Sequence, residues 1–134
     1  MSFVKTINFN SLGDSRGELV VLEGNQDIPF DVKRVYYIFG TNGDVARGFH
    51  AHKALQQIAV CVAGSCNLVI NDGVNKETIL LDHPTKGVLV DIMQWHEMHN
   101  FSDDCVLLVL ASDHYDESDY IRSYKNFLEL AGSQ

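Results

Sequence analysis

Basic side chains are scarce in this chain of 134 residues. Ten lysines and arginines stand against 18 aspartates and glutamates, and the formal net charge is −8. A protein that binds a nucleic-acid backbone needs a stripe of positive charge, which this composition does not supply. The imbalance therefore argues against nucleic acid as a partner. It leaves room for a small phosphorylated ligand, because three of the ten basic residues, Arg16, Arg34 and Arg47, fall within the first 47 positions.

Long apolar runs and paired cysteines are missing as well. The longest apolar run, Cys105 to Ala111, is too short to span a bilayer, and no hydrophobic signal segment follows the first methionine. Cys61, Cys66 and Cys105 make an odd count without paired spacing, and each lies in an apolar run. Buried free thiols are favoured over a disulfide. We therefore expect a cytoplasmic protein with no membrane partner.

What the chain does contain is a series of short strand-forming segments separated by turn residues. Their alternating or β-branched composition, and turns such as Asn42-Gly43 and Asn71-Asp72-Gly73, predict about ten strands. The predicted strands are 3–9, 18–23, 32–39, 47–52, 57–62, 66–70, 77–81, 88–92, 97–101 and 105–112. This spacing is typical of a β-sandwich or barrel.

One helix is predicted, at the C-terminal end. Asp116 to Asp119 supply capping and acidic residues, apolar positions from Tyr120 to Ala131 recur at helical spacing, and Gly132 ends the pattern. In this interpretation Tyr120 packs the helix and has no chemical role. The chain shows no internal repeat or linker, so residues 1–134 are predicted to form a single all-β domain with this short helix.

Two histidines separated by one residue are the most informative feature. In Arg47-Gly48-Phe49-His50-Ala51-His52, strand alternation places His50 and His52 side by side on one face. Adjacent imidazoles can bind a metal or transfer protons to one small molecule. A second polar cluster, Trp95 to Asn100, follows about 45 residues later and brings His96 into consideration.

These residues resemble the cupin superfamily. Gly48, His50, His52 and Gly64 match its first motif, and His96 with Asn100 matches the end of its second. Metal cupins carry a glutamate where this chain has Gln56 and Gln57, and a neutral amide is a poor ligand for a divalent transition metal. We therefore predict no metal and no cofactor. A metal-dependent cupin oxygenase or isomerase that uses the three histidines stays open as an alternative.

A closer resemblance covers nearly the whole chain. The strings RGFHAHK and ASDHYDESDYIR, together with DSRGELVVLE and WHEMHNFSDDCVLLVL, resemble the dTDP-4-dehydro-6-deoxyglucose 3,4-ketoisomerases. The resemblance implies a cupin jelly-roll barrel, a dTDP-sugar bound inside it and a homodimer that exchanges N-terminal strands. It implies an isomerase of nucleotide-sugar biosynthesis that moves a ketone from C4 to C3 of the sugar, with the galacto product favoured. A non-catalytic module that binds a dTDP-sugar is the remaining alternative.

The same resemblance assigns catalytic roles. Removal of the C3 proton needs a base with a pKa near neutrality, and His50 is expected to be that base, assisted by His52. A donor must stabilise the enediolate oxygen. Tyr36 is the candidate, since it shares strand parity with Arg34.

Substrate binding is predicted for three arginines and one histidine. Arg34 and Arg47, and then Arg16, are expected to bind the diphosphate through their planar guanidinium groups. Arg47 has the opposite strand parity to His50, so it reaches the ligand only if a bulge resets the alternation or if it lies at the mouth or a subunit interface. His96 is expected to contact the substrate from the cavity wall.

Overall fold

Two five-stranded antiparallel sheets form the body of the molecule in a computed structural model, which describes residues 2–132. The strands are β1 Lys5–Asn8, β2 Arg34–Ile38, β3 Arg47–His52, β4 Gln57–Ala63, β5 Cys66–Asn71, β6 Lys76–Leu81, β7 Lys86–Val90, β8 Trp95–His99, β9 Val106–Ala111 and β10 Tyr120–Ile121. The first sheet has the order β1-β7-β4-β9-β2 and the second β10-β3-β8-β5-β6. Met1 and residues 133–134, the ends of the predicted domain, lie outside the described residues.

The sheets bury their apolar faces against each other. Alternate residues of each strand point inward, as the period of two requires, so Leu68 and Ile70 of β5 meet Leu107 and Val109 of β9 in one cluster. The three cysteines lie in the same cluster as free thiols, as predicted. The predicted all-β jelly-roll architecture with one C-terminal helix is confirmed.

Two further segments cover the outer faces. Ile28 and Phe30 of the N-terminal segment pack on the first sheet beside Ile58 of β4. The helix α1, Tyr124–Gly132, packs on the second sheet through Phe127, which is fully buried against Trp95. This nine-residue helix, the α-helix within residues 2–132, lacks the length and apolarity needed to cross a membrane.

The predicted strand at 18–23 is wrong for this chain. The segment makes only an isolated bridge, between Val20 and Ser11, and its residues Leu19 and Val21 are exposed. A strand requires a neighbour for its backbone groups, and no sheet edge within residues 2–132 takes the segment as a partner. The segment has the apolar composition of a strand, but its backbone lacks the hydrogen bonds to a neighbouring strand among these residues.

The predicted start of the helix is also wrong. Asp116 caps a short 3₁₀-helix, Glu117–Asp119, by accepting the Ser118 N–H, and the chain then extends as β10. The α-helix begins only at Tyr124, where the Ser123 hydroxyl accepts the N–H of Asn126. Tyr120 and Ile121 pair with β3 although their spacing is helical. The pairing satisfies backbone N–H and C=O groups that an unpaired segment would leave without hydrogen-bond partners.

Candidate active site

A β-bulge in β3 sets the geometry of the site. The register with β8 shifts between Gly48 and His50, and Gly48 and Phe49 have φ values of 95° and 62°. Arg47 lies opposite Met98, and His50 lies opposite His96. The extra residue therefore resets the alternation and places Arg47 on the same inner face as His50. This is the condition under which strand parity allows Arg47 to reach a ligand.

Three imidazoles meet at the end of this strand. The ring centroid of His50 lies 5.0 Å from that of His52 and 4.4 Å from that of His96. One ring nitrogen of each residue lies within 4.8 Å of a ring nitrogen of the other two. The predicted side-by-side placement of His50 and His52 is confirmed, and His96 is added from β8, the neighbouring strand.

The hydrogen bonds of these rings fix their tautomers. The Nδ1 atoms of His50 and His96 face the backbone carbonyl oxygens of the residues two positions earlier, at 3.1 and 3.4 Å. Nδ1 of His52 lies 3.1 Å from a carboxylate oxygen of Asp119. Carbonyls and carboxylates only accept, so each neutral ring carries its proton on Nδ1. The lone pair of each ring is then on Nε2, where it can accept a proton.

Burial keeps the three rings neutral. It lowers the pKa of His50, and it lowers the pKa of His52 to about 4 and that of His96 to about 3. The neighbouring imidazoles add to the effect on His52 and His96, while the Asp119 carboxylate opposes it at His52. At neutral pH the site therefore presents bases and no imidazolium.

We expect the neutral imidazoles to make the protein acid-sensitive. The unfolded chain binds protons to these rings below about pH 6.5, whereas folded His52 and His96 resist protonation until about pH 4 and 3. Their contribution is complete above pH 6.5 and is lost as the pH falls through that window. The free energy of unfolding should fall by about 2 kcal/mol per ring between pH 6.5 and 5.

Urea unfolding at pH 7, 6 and 5 measures this loss. A His96→Gln variant is the control, because it should remove about half of the pH dependence whatever its own stability. A flat profile for the wild-type protein would contradict the assignment of neutral buried rings.

Tyr36 supplies a proton donor. Its hydroxyl donates a hydrogen bond of 2.6 Å to the side-chain oxygen of Gln57, which is itself buried. Burial, and secondarily the neighbouring Tyr120 hydroxyl, raises the pKa of Tyr36 to about 12, although Arg34 and Arg47 oppose the rise. The phenol is therefore protonated at neutral pH and can donate to a developing oxyanion.

Two cavities adjoin these groups, a smaller one of about 250 Å³ bordered by His52 and a larger one of about 530 Å³ bordered by His50. The lining of the larger cavity includes the predicted residues Arg34, Tyr36, Arg47 and His50. Arg34 lies over the Tyr36 ring, 5.5 Å from the centroid, and its Nε is buried without a hydrogen-bond partner among residues 2–132. An unpartnered buried guanidinium nitrogen is available for an anionic ligand.

Two predicted contacts lie elsewhere. His96 is buried behind His50 and does not line the larger cavity; it borders a small void shared with Tyr36 and Gln57. Arg16 is exposed in a turn, where it pairs with Asp14. Arg16 lines neither of the two cavities that Arg34 borders within this chain.

Sequence reasoning missed three site residues, all from the C-terminal segment. Helical spacing predicts that Tyr120 packs a helix, but its ring lies 4.9 Å from that of His50 and 4.3 Å from that of His52. Arg122 lines the same cavity and lies over the Tyr120 ring. Asp119, interpreted as a helix-terminal charge, contacts His52. The string ASDHYDESDYIR pointed to this segment, but the helical spacing hid the pairing with β3.

Comparison with known proteins agrees with this geometry. Residues 2–132 match the family model described as FdtA, WxcM-like, C-terminal. A TDP-4-oxo-6-deoxy-alpha-D-glucose-3,4-oxoisomerase of Aneurinibacillus thermoaerophilus is 58% identical over 123 residues, which make up 92% of this chain and 88% of that protein. The chain belongs to the sugar 3,4-ketoisomerase family.

Solved structures of other 3,4-ketoisomerases share the fold. A 3,4-ketoisomerase of Helicobacter canadensis is 45% identical with a TM-score of 0.95, covering 98% of this chain and 99% of that one. A histidine-to-asparagine mutant of a Thermoanaerobacterium thermosaccharolyticum 3,4-ketoisomerase, in complex with TDP-4-keto-6-deoxyglucose, is 41% identical with a TM-score of 0.97. That comparison covers 100% of this chain and 98% of that one. The predicted family and cupin fold are confirmed.

The donor set of the site bears on metal binding. Three imidazoles are close enough to share one ion, as three-histidine zinc sites do. The expected anionic ligand is replaced by Gln57, whose side-chain oxygen already accepts the Tyr36 hydroxyl. The Asp119 carboxylate is held by His52 and by backbone N–H groups. The histidines alone would hold a metal, with no charged ligand to compensate the ion.

Proposed function

We propose that this protein isomerises dTDP-4-dehydro-6-deoxy-D-glucose by moving its ketone from C4 to C3. The observation that carries the proposal is one cavity that joins a neutral imidazole, His50, to a protonated phenol, Tyr36, and three arginines. The relatives reported above carry names of 3,4-ketoisomerases or oxoisomerases, and one of them is described with this keto sugar bound. We further propose that residues 1–134 act as one domain.

The reaction begins with removal of the proton at C3, which is acidic because it lies next to the C4 carbonyl. His50 accepts this proton on Nε2, the nitrogen that its tautomer leaves free. The electron pair of the C3–H bond forms the C3–C4 double bond, and the carbonyl electrons move to the oxygen at C4. The Tyr36 hydroxyl turns its single proton from Gln57 to that oxygen and donates a hydrogen bond as the charge develops.

The reaction ends with protonation at C4. The C3 hydroxyl loses its proton as the C3 carbonyl forms, the oxygen at C4 gains a proton and becomes a hydroxyl, and the proton taken from C3 is delivered to C4, so substrate and product have the same composition. His50 can return the proton, with His52 as a second acid or base beside it. The face on which C4 is protonated decides the stereochemistry, and we retain the galacto product as our proposal.

The arginines and the cavity walls hold the nucleotide end of the substrate. Arg34 has an unpartnered buried Nε, and Arg47 is turned inward by the bulge, so both can bind the diphosphate through charge-assisted hydrogen bonds. His96 supports the site from behind His50. Chemistry on nucleotide sugars, together with the free thiols in the core, favours a cytoplasmic location.

Turnover in deuterated water tests the reaction. Incubated with dTDP-4-dehydro-6-deoxy-D-glucose, the protein should produce a 3-keto sugar that carries solvent deuterium at C4, because the transferred proton exchanges with water while it resides on histidine. Proton NMR of fresh product reports the deuterium, and the coupling pattern at C4 reports the stereochemistry. Unchanged substrate would refute the proposed reaction.

Experiments on the same purified protein distinguish two alternative functions, a non-catalytic binding module and a metal-dependent enzyme. Binding of the dTDP-sugar without any solvent exchange would indicate a non-catalytic binding module. The three-histidine cluster favours testing a metal-dependent reaction as well. Stoichiometric iron, manganese or zinc in the purified protein, with activity lost on chelation, would support it. We expect activity to survive chelation, since none of the proposed steps requires a metal.

We also propose a homodimer with exchanged N-terminal strands. β2 is the outermost strand of its sheet, and its outward residues Val35 and Tyr37 are 53% and 62% exposed. The segment 18–23 has a strand-like apolar composition but no sheet partner among the described residues of its own chain, and Leu19 is 57% exposed. If segment 18–23 of one protomer lay beside β2 of the other, both exposed surfaces would be covered. Arg16 of the first protomer would then lie near the barrel of the second.

Light scattering during size-exclusion chromatography measures this assembly. The wild-type protein should elute as a dimer, whereas Tyr37→Glu should produce monomer, because the substitution buries a charge at the proposed interface. Val74→Glu, at an apolar residue that is 88% exposed in a hairpin, is the matched control and should remain dimeric. A monomeric wild-type protein would contradict the proposal.

A further inference from the structure

We propose that Asp119 is a positioning residue that holds His52 in the tautomer and orientation needed for proton transfer. The inference deepens the proposed function and rests on it, because it concerns a histidine of the same site. Asp119 lies at the end of the 3₁₀-helix, directly before β10, and approaches β3 from the edge of the sheet.

The Asp119 carboxylate is the centre of a small hydrogen-bond network. One oxygen lies 3.1 Å from Nδ1 of His52 and also accepts the N–H of Leu55 at 3.2 Å. The other accepts the N–H of Ala54 at 2.8 Å, and the Asp119 backbone carbonyl accepts the N–H of Lys53 at 3.1 Å. One residue thus binds both the imidazole and the loop that follows it.

The chemistry of a carboxylate makes this contact directional. A carboxylate only accepts, so it requires the proton of neutral His52 to be on Nδ1 and leaves the lone pair on Nε2. The rings of His50 and His96 are fixed in the same sense by backbone carbonyls. Asp119 is the one side chain among these three acceptors, and so the one that substitution can remove.

Asp119→Asn separates positioning from simple loop support. The amide oxygen can still accept the N–H of Ala54, whereas the NH₂ group turned toward His52 gives up the Leu55 contact and would donate to Nδ1. His52 would then carry its proton on Nε2 and present a hydrogen where the reaction needs a lone pair. We expect kcat to fall about 10²-fold or more with KM nearly unchanged, since the wrong tautomer harms the chemical step and not binding.

Long-range ¹⁵N NMR of histidine-labelled protein reads the tautomer directly. Wild-type His52 should show a protonated Nδ1, and Asp119→Asn should show a protonated Nε2. Asp119→Glu should restore the wild-type tautomer and part of the lost turnover. Asp103→Asn, which removes an exposed carboxylate elsewhere, is the control for net charge and should leave both readouts unchanged.

Two outcomes would overturn the inference. One is an unchanged kcat in Asp119→Asn, and the other is a reduced kcat with His52 still protonated on Nδ1, which would assign Asp119 a structural role only. The NMR readout needs no turnover. If the proposed function is wrong, the wild-type protein will be inactive. If this inference is wrong, His52 in Asp119→Asn will keep its proton on Nδ1.

Discussion

Replacing His50 with asparagine is expected to reduce kcat by about 10²- to 10⁴-fold while the protein stays folded, because general acid–base catalysis contributes that much. His50 is the histidine of the cluster that lines the larger cavity, beside Tyr36 and Arg47. Its Nε2 carries the available lone pair, and burial lowers the pKa of the ring so that it is unprotonated at neutral pH. Asparagine retains a polar group of smaller size but cannot accept a proton from carbon.

Two measurements make the His50→Asn result interpretable. Binding of TDP by calorimetry should be close to that of the wild-type protein, and the thermal unfolding midpoint should shift little. His83→Asn is the matched control, because His83 is an exposed histidine whose ring contacts Thr85 in its own turn. Wild-type turnover by His50→Asn would refute the assignment of the base.

The second large effect is expected at the bulge. A Cβ on Gly48 would lie 2.9 Å from the carbonyl oxygen of His96 and 3.2 Å from Cα of Glu97, and the residue has a φ of 95°. Gly48→Ala therefore combines a disfavoured backbone conformation, costing about 1–2 kcal/mol, with a clash against backbone. Because β3 must move away from β8, we expect the free energy of unfolding to fall by about 2–4 kcal/mol.

Activity should suffer even where Gly48→Ala remains folded. The displaced strand carries His50 and Arg47, and misplacement by about 1 Å can cost 10²-fold in rate. Gly40→Ala is the matched control, since Gly40 has a φ of 63° but a Cβ there would meet open space among the described residues. Its loss of stability measures the conformational cost alone, and equal losses in the two variants would contradict a role for the close approach.

Strand alternation is enough to predict part of the site. A period of two places His50 beside His52 and pairs Tyr36 with Arg34, and both placements hold in the structure. The period fails at Arg47, because a bulge adds one residue and reverses the phase. Glycine marks the position, yet whether a glycine forms a bulge depends on the register of the neighbouring strand.

Longer-range placements are less accessible to sequence. The segment 18–23 has the apolar composition of a strand, but composition does not say which sheet edge will pair with it. Tyr120 fits helical spacing as well as strand pairing, and the choice is made by β3, nearly 70 residues earlier in the chain. Such decisions depend on tertiary hydrogen bonds, which local patterns do not contain.

The contribution of the C-terminal segment has a consequence for biosynthesis. Both sheets, apart from the two-residue strand β10, are complete in sequence once Ala111 has left the ribosome. Tyr120 and Arg122, which line the larger cavity, follow later, as does Asp119, which lines the smaller cavity beside His52. A nascent chain can therefore form nearly all of both sheets before the residues that complete the proposed active site have been synthesised. Chains that terminate early would contain most of the barrel but lack these C-terminal residues of the site.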